Sequence, residues 1–376
     1  MRTRPQPAPT VPPASARPAA HHSQHRCFIV PPYLLAQLAS LEDPRLHRAR
    51  EAARHVLESE HVSHSVRPGE PPTMRPPVVR PRTGPVANPS QPDRAISDAG
   101  GTETLPGRIV RREGEPAVDD ASVNEAYDGL GHTHALFWDA FERASVDGAG
   151  SPLEATVHYG DAYDNAFWDG SRMVFGDGDG QVFAGFTTSL SVIGHELTHG
   201  VTQYTANLVY SGQSGALNES VSDVFGALVE QHSRGHDVTE ASWLIGEGIF
   251  TDEVEGTALR SLKAPGTAYD DDVLGKDPQP AHMDDFVETD DDNGGVHINS
   301  GIPNRAFYLA ATSIGGNAWE RAGRIWYETL TGEIKATTDF GGFADATIAV
   351  AVRLYGSESP ETAAVRTAWG EVGVLS

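Results

Sequence analysis

Residues 192–200 read VIGHELTHG and contain the pattern H-E-x-x-H inside an apolar stretch of helical spacing. Four residues advance an α-helix by about 400°, so His195 and His199 lie one turn apart and can present two imidazole nitrogens to one metal ion. Glu196 is rotated by about 100° from His195, where its carboxylate can accept a proton from a water molecule. The stretch therefore predicts a helix that carries two metal ligands and a general base.

A third ligand is predicted about twenty residues later. Residues 215–223 read GALNESVSD and open a second apolar helix, in which Glu219 and Asp223 share one face. If this helix packs beside the first, Glu219 can complete the metal site, and Asp223 can accept the free ring N–H of a ligating histidine. The alternative interpretation is an acidic, solvated face at the start of a helix.

A polar turn with a single histidine forms another candidate. Residues 290–300 read DDDNGGVHINS, in which Asp and Asn before a pair of glycines predict a tight turn. Asp292 lies five residues before His297 and can orient its imidazole and raise its pKa. By itself this is an ordinary polar loop, but beside a metal site it is a candidate for holding an oxyanion.

Composition limits the kind of metal site and the kinds of partner. The 376-residue chain has one cysteine, Cys27, which excludes an intramolecular disulfide and a Cys-rich zinc site, so a metal ion needs His and carboxylate ligands. Residues 1–93 contain 12 Arg, no Lys and 7 acidic residues, which leaves 16 basic and 45 acidic residues for residues 94–376. Nucleic acid is therefore an unfavourable partner for the acidic body. No apolar run reaches the length of about 18 residues that crosses a bilayer.

The front of the chain differs from the body, since 18 of the 26 prolines lie in residues 1–93. We expect residues 1–26 to be a disordered leader and residues 67–93 an extended, cleavable linker. Between them, residues 34–62 predict one amphipathic helix or a pair broken at Pro44, too small to bury its apolar face without docking on the body. No Sec signal peptide is visible.

The body predicts an α+β arrangement, with strands first and helices later. Residues 106–118 indicate strand and turn, and Ser122 with Glu125 predicts a capping box at the start of a helix. Short apolar runs broken by Gly and Asp in residues 155–188 predict twisted antiparallel strands. Helices are predicted near 190–204, 216–232, 300–314, 316–330, 338–355 and 360–370.

Five motifs in order carry a family resemblance: NAFWDG (165–170), MVFGDGDG (173–180), GHELTHG (194–200), GALNESVSD (215–223) and DNGGVHINSG (292–301). Together they make residues 94–376 resemble the thermolysin-like zinc metalloproteases, the gluzincins of peptidase family M4. The sequence IVPPYL at Ile29–Leu34, followed by a short helical segment, is similar to the short propeptide of the protealysin-like branch.

The resemblance implies a two-lobe fold with the zinc helix at the floor of the cleft. The implied domains are a leader (1–26), a short propeptide (27–66), a linker (67–93), a β-rich N-terminal lobe (94–205) and a helical C-terminal lobe (206–376). It also implies a neutral metalloendopeptidase made as an autoinhibited precursor, with one catalytic Zn²⁺, that cleaves polypeptides before bulky apolar residues.

The resemblance also implies residue roles, in four groups. The zinc ligands are His195, His199 and Glu219. The catalytic residues are Glu196 as general base, His297 and Tyr210 at the oxyanion, and Asp292 orienting His297. The substrate-binding residues are Asn165, Ala166 and Arg260. The partners of the zinc histidines are Asn218 and Asp223.

Other expectations concern ions, partners and location. Glu230 and Glu247 are acids where the thermolysin pattern has a double calcium site, but Ser191, Ser242 and Leu244 replace other acids, so at most one weaker Ca²⁺ is expected. We expect a monomer whose partners are polypeptide substrates and its own propeptide, with no membrane or nucleic acid. Secretion is expected from the resemblance, with a cytoplasmic precursor as the alternative.

Three further alternatives remain open from the sequence. Cys27 can approach the zinc as a thiolate in the precursor, or it can be an idle buried thiol. The body can be a protease lobe kept only for binding a partner, although Glu196, Glu219 and His297 are all present. It can also be an aminopeptidase, although no acids placed to hold a free amino terminus are evident.

Overall fold

The computed structural model describes residues 27–63 and 89–375. The predicted leader (1–26) and most of the predicted linker (67–88) lie outside the described residues. None of the helices in the described ranges combines the length and apolar character that crossing a bilayer requires.

The chain before residue 190 contains the strands and the prosegment, by which we mean residues 27–63. Its elements are β1 (Cys27–Phe28), α1 (Pro32–Ala39), α2 (His47–Ser63), β2 (Arg94–Thr102), β3 (Arg108–Arg112), α3 (Ala121–Phe141), β4 (Leu153–Tyr159), β5 (Ala166–Trp168) and β6 (Met173–Phe175).

From residue 190 the described chain is mainly helical, with short strand pairs between α5 and α6. Its elements are α4 (Leu190–Gln203), α5 (Gly212–Arg234), β7 (Leu244–Ile245), β8 (Arg260–Ser261), β9 (Asp270–Asp271), β10 (Gly275–Lys276), α6 (Asp292–Asn299), α7 (Gly301–Ile314), α8 (Ala322–Leu330), α9 (Phe340–Tyr355) and α10 (Pro360–Glu371). The predicted helices are present, although the one expected over 316–330 begins only at Ala322.

The main sheet has the strand order β1-β5-β6-β4-β2-β3. The expectation of antiparallel strands over residues 155–188 is only partly right, because β4 pairs in parallel with both β2 and β6. Parallel neighbours need a long crossover, and α3 supplies one between β2 and β4. Strand β1 of the prosegment adds an antiparallel edge to β5. The prosegment is therefore part of the sheet.

Helix α3 begins two residues before the start that the predicted capping box gives. Asp120, and not Ser122, is the N-cap, and its carboxylate accepts a hydrogen bond from the Val123 N–H at 3.3 Å. The Glu125 carboxylate accepts instead from the Thr187 hydroxyl. Asp and Ser are about equally favourable N-caps, so the sequence contains two possible start sites for this helix, two residues apart. Tertiary contacts favour the earlier one.

The prosegment forms the broken helical pair, with a single 3₁₀ turn at Pro44–Leu46 between α1 and α2. Leu35, Leu38 and Ala53 are fully buried, so its apolar face docks on the body as expected. Gln181 of the body accepts hydrogen bonds from the Arg48 and Ala49 N–H groups, at 3.0 and 3.1 Å, with its side-chain oxygen. The Gln181 amide also donates to the Arg45 carbonyl at 2.6 Å. One body side chain thus holds the start of α2.

Helices α4 and α5 pack at very short range because glycines face each other. A Cβ added at Gly226 would lie 2.5 Å from the Ser191 carbonyl oxygen, and one added at Gly194 would lie 3.0 Å from the Gly226 Cα. Any side chain at either position would therefore separate the two helices. This close packing fixes the distance between residues on the facing sides of α4 and α5.

An imidazole joins the start of α3 to the loop after β6. His158 lies within 2.8 Å of Asp120 and 2.9 Å of Asp177, through different ring nitrogens. Burial lowers the pKa of His158, but hydrogen bonds to Asp177 and Asp120 outweigh burial and raise the pKa above its ordinary value. The protonated imidazole therefore stabilises the folded state.

We expect this stabilisation to depend on pH. A group whose pKa is raised by folding contributes its full stabilisation below its unfolded pKa, about 6.5 for histidine, and loses it as the pH rises through the folded pKa. The difference in free energy of unfolding between the parent chain and His158→Gln should therefore be larger at pH 6 than at pH 9. Urea unfolding, with Glu196→Gln in both chains to prevent self-digestion, measures it. His132→Gln, which removes an imidazole facing Ser233, is the control. A pH-independent difference would contradict the prediction.

Candidate metal centre

Helix α4 brings His195 and His199 to one point, and α5 brings Glu219 to the same point. The two Nε2 atoms are 3.0 Å apart. Glu219 Oε2 lies 3.4 Å from the Nε2 atom of His195, and Glu219 Oε1 lies 3.4 Å from the Nε2 atom of His199. All three side chains are fully buried. Among the described residues, they form the grouping whose potential ligand atoms lie within 4.8 Å of one another.

Hydrogen bonds on the outer side orient the two imidazoles. His195 Nδ1 lies 2.8 Å from the Asp223 carboxylate and His199 Nδ1 lies 2.9 Å from the Asn218 side-chain oxygen. Because these oxygens accept, both Nδ1 atoms carry the proton and both Nε2 lone pairs point to the common centre.

The protonation states of the ligands also fit a metal ion. Burial lowers the pKa of His199 to about 4, so its imidazole is neutral at pH 7. Burial raises the pKa of Glu219, but the His297, His199 and His195 imidazoles outweigh it and hold the pKa well below its usual range. Two imidazoles and one carboxylate, with Glu219 Oε2 buried without a hydrogen bond, match the ligand set of a catalytic zinc site.

Glu196 lies beside this centre without belonging to it. Its Oε2 accepts a hydrogen bond from the Trp168 N–H at 2.9 Å, while its Oε1 is buried and has no hydrogen-bond partner. Burial, and then the Glu219 charge, raise the pKa of Glu196 well above its usual range. A carboxylate with one anchored and one unpartnered oxygen is suited to accept a proton from a water molecule.

The polar turn predicted around His297 reaches the same centre. Asp292, Asn293, Gly294 and Gly295 all adopt positive φ angles, which fold the chain so that Asp292 faces His297. Asp292 accepts from the His297 main-chain N–H at 2.8 Å and from its Nδ1 at 2.6 Å. Burial lowers the pKa of His297, but Asp292 and then Glu219 outweigh it and raise the pKa to about 9.

Tyr210 closes the site next to His297. Its hydroxyl contacts Glu219 Oε1 and lies 3.3 Å from His297 Nε2. Burial raises the pKa of this phenol well above its ordinary value, so it remains a neutral donor. The structure thus brings the pair expected at an oxyanion to one place beside the metal ligands.

Arg260 is buried and contacts the candidate metal centre through Asp223. Its guanidinium donates to both Asp223 oxygens, at 2.8 and 2.9 Å, and Asp223 is also the partner of His195. A further hydrogen bond to Asp223, at 2.8 Å, comes from the Asn304 amide of α7. Sequence reasoning missed Asn304, and its helical apolar context carried no signal for this role.

The prosegment passes directly through this site. Val30 exchanges two hydrogen bonds with the Asn165 side chain, and the Ile29 N–H donates to the Ala166 carbonyl at 3.0 Å. The Ile29 carbonyl accepts from Arg260 at 3.0 Å. Every substrate-binding residue expected from the sequence therefore contacts the chain's own prosegment.

Cys27 lies at the edge of the centre. Its thiol is buried next to Tyr210, and burial, followed by the charges of Glu219 and Glu196, raises its pKa. Cys27 is not a member of the grouping of His195, His199 and Glu219 in the described residues. The two alternatives for Cys27, a thiolate approaching the zinc and a buried thiol, both remain predictions.

Comparisons with known proteins agree with this geometry. Residues 96–203 match the family described as "Thermolysin metallopeptidase, catalytic domain", and residues 206–374 match "Thermolysin metallopeptidase, alpha-helical domain". The chain belongs to the thermolysin family. Like the other members of this family, it is a zinc metalloendopeptidase with the two-lobe thermolysin-like fold.

Individual relatives show how far the likeness extends. The chain is 49% identical to "Extracellular metalloprotease" of Pectobacterium carotovorum subsp. carotovorum over 350 residues, which span 93% of this chain and 96% of that protein. It is 51% identical to "Protease PrtS" of Photorhabdus sp. over 284 residues, 75% of this chain and 76% of the other. A solved structure, "Precursor of Protealysin, Metalloproteinase from Serratia proteamaculans", matches with a TM-score of 0.82 and 46% identity, covering 93% and 100% of the two chains. The match to a precursor supports a propeptide-bearing zymogen.

We expect the outer hydrogen bonds to contribute to metal affinity. Asn218→Ala removes the nearer of the two oxygens that face His199 Nδ1, at 2.9 Å, and leaves the Ser222 hydroxyl at 3.1 Å. It should weaken zinc binding about tenfold. Competition with a chromogenic chelator, in the Glu196→Gln chain, measures the dissociation constant. Ser191→Ala is the control on α4, because the Ser191 hydroxyl faces Ser189 and Gly246. Equal zinc affinity in the Asn218→Ala and control chains would contradict the prediction.

Proposed function

We propose that Glu196 is the general base of this peptidase and that His195, His199 and Glu219 hold its zinc. The observation that carries this proposal is the buried, unpartnered Glu196 Oε1, one residue beyond a zinc ligand and beside the three-residue ligand set. Its position suits proton transfer to and from a water molecule, and its raised pKa brings its basicity closer to neutral pH.

The groups around the centre have distinct roles in water activation, proton transfer and stabilisation of the oxyanion. A zinc ion held by these ligands supplies a Lewis acid and lowers the pKa of a water molecule. Glu196 takes the proton of the attacking water and delivers it to the leaving nitrogen. His297, protonated through its contact with Asp292, and Tyr210 donate hydrogen bonds to the carbonyl oxygen as it gains charge.

We also assign the substrate-binding role to Asn165, Ala166 and Arg260. Support comes from the prosegment, whose main chain they hold by strand addition to β5 and by hydrogen bonds. Ile29, the residue bound by both Ala166 and Arg260, is fully buried, which supports a preference for a bulky apolar residue at that position. The cleft holds an internal stretch of chain, and this favours an endopeptidase over an enzyme that trims chain ends.

The prosegment is proposed to be an intramolecular inhibitor. It fills the cleft with β1, contacts His297 and Arg260, and docks α1 and α2 on the body. We propose that latency ends when the chain is cut between about residues 60 and 93.

Ions, assembly and location remain proposals. Glu230 forms an ion pair with Arg234 at 3.0 Å, so a protein cation already lies beside one of the two acids considered for calcium. We propose zinc as the required ion and at most one weak calcium ion. The naming of the Pectobacterium relative as extracellular supports secretion. We also propose a monomer that acts on polypeptides; the excess of acidic residues in residues 94–376 disfavours a nucleic acid partner, and a membrane partner is not proposed.

Replacing Glu196 by Gln tests the general base. The amide keeps the size of the side chain and leaves the zinc ligands intact, but it cannot accept the proton. Zinc content should be unchanged, while hydrolysis of an internally quenched, end-blocked peptide should fall by at least about 100-fold. Metal analysis and peptide turnover are measured on the same sample. Near-normal turnover would refute the role of Glu196.

The Gln181 contact tests the inhibitory prosegment away from the catalytic residues. Gln181→Ala removes three hydrogen bonds to the prosegment and should raise the peptidase activity of the uncut chain several-fold. Arg50→Ala is the control within α2, since Arg50 pairs only with neighbouring Glu51 in the described contacts. Intact mass must show that residues 1–93 are still attached. Equal latency of the two variants would contradict the proposal.

A further inference from the structure

The prosegment lies in the cleft in a single, fixed register that can be read residue by residue. Cys27 faces Trp168 and Phe28 faces Phe167 in an antiparallel pair, and beyond them Ile29 bonds to Ala166. The contacts of the carbonyl groups in this extended segment identify the peptide bond that lies beside the candidate metal centre.

The Phe28 carbonyl points into the metal centre. Its oxygen accepts a hydrogen bond from His297 Nε2 at 2.9 Å, and the same nitrogen lies 3.3 Å from the Tyr210 hydroxyl and 3.6 Å from Glu219 Oε2. The next carbonyl, of Ile29, points away from these groups and is bound by Arg260. The Phe28 carbonyl is therefore the one that the structure presents to the catalytic groups.

The nitrogen side of the same bond is firmly held. The Ile29 N–H donates to Ala166, its carbonyl accepts from Arg260, and Val30 is fixed at both its N–H and its carbonyl by Asn165. On the other side, the Phe28 ring packs on Phe167 with centroids 5.3 Å apart. Strand β5, which carries these contacts, also anchors Glu196 through the Trp168 N–H.

We propose that the Phe28–Ile29 peptide bond is a substrate bond built into the chain, and that the enzyme hydrolyses it. The prosegment is then a slowly cleaved substrate as well as an inhibitor that occupies the cleft. This inference rests on the proposed function and adds to it the bond at which the chain cuts itself.

The reaction is an ordinary hydrolysis. The oxygen of one water molecule bonds to the Phe28 carbonyl carbon, the bond between that carbon and the Ile29 nitrogen breaks, and Glu196 transfers the proton to that nitrogen. The second proton of the water, lost by the new carboxyl group, also ends on that nitrogen, so Phe28 becomes a carboxylate and Ile29 an ammonium group. The cut separates β1 from α1 and α2 and removes the hydrogen bond to His297 and the Phe28 contact with Phe167. It therefore loosens the rest of the prosegment.

The experiment follows the full-length, zinc-loaded chain by intact mass and N-terminal sequencing over time. We expect a fragment that ends at Phe28 and a chain that begins at Ile29. Ile29→Leu should give the same cut, whereas Ile29→Asp, which buries a charge in an apolar position, should slow it by roughly 100-fold. Cleavage at a different bond within residues 27–32, or an equal rate for Ile29→Asp, would overturn the inference.

Two further measurements separate this inference from the proposed function. A matched sample, cut between residues 60 and 93 to end latency, is given an internally quenched, end-blocked peptide. If this sample cuts the peptide but no full-length chain is cut to begin at Ile29, the inference fails and the peptidase stands. If the cut sample does not hydrolyse the peptide, the proposed function is rejected. Hydrogen exchange of the zinc-free Glu196→Gln chain tests the register without any activity. The Ile29 and Val30 amides should be protected, and Asn165→Ala should lower the protection of Val30 at least about tenfold; unprotected amides would overturn the register.

Discussion

The close contact of α4 with α5 is the constraint on which the metal centre depends. Two members of the His195, His199 and Glu219 grouping come from one helix and the third from the other, so the distances between their ligand atoms are set by how near the helix axes can approach. Gly194 and Gly226 remove the side chains that would keep them apart. A methyl group at Gly226 would lie 2.5 Å from the Ser191 carbonyl oxygen, so the helices would have to move apart and the distances between His195, His199 and Glu219 would change.

A set of buried charges extends from this contact and links the candidate metal centre to the prosegment. Asp223 contacts both His195 and Arg260, and Arg260 in turn binds the Ile29 carbonyl. Burial lowers the pKa of Arg260, but Asp223 outweighs burial and the net shift is upward. Removing one member would leave the other buried and unpaired, which is costly in a protein interior. The orientation of the His195 imidazole and the position of the Ile29 main chain therefore depend on one carboxylate.

The sequence predicted the parts of the site that follow from local spacing. His195 with His199, and Glu219 with Asp223, lie on single helices whose period fixes which residues share a face. Asp292 and His297 are joined by a turn that the local sequence predicts, because Asp and Asn before two glycines are typical of a tight turn. Asn304, the Trp168 main chain and Gln181 were not predicted, because their roles depend on tertiary contacts that no local pattern encodes. The parallel pairing of β4 was missed for the same reason, since alternation within a strand does not specify its neighbours.

The start of α2 has a consequence for the fate of the inhibitor. Its first turn carries the basic residues His47, Arg48 and Arg50 and no acid, an unfavourable arrangement at the positive end of a helix dipole. The amides there are satisfied by Gln181, which stays behind on the body when the prosegment departs. On release, the amides at the start of α2 would lose this partner. We therefore expect the free prosegment to be less ordered and to rebind poorly, which would make activation difficult to reverse.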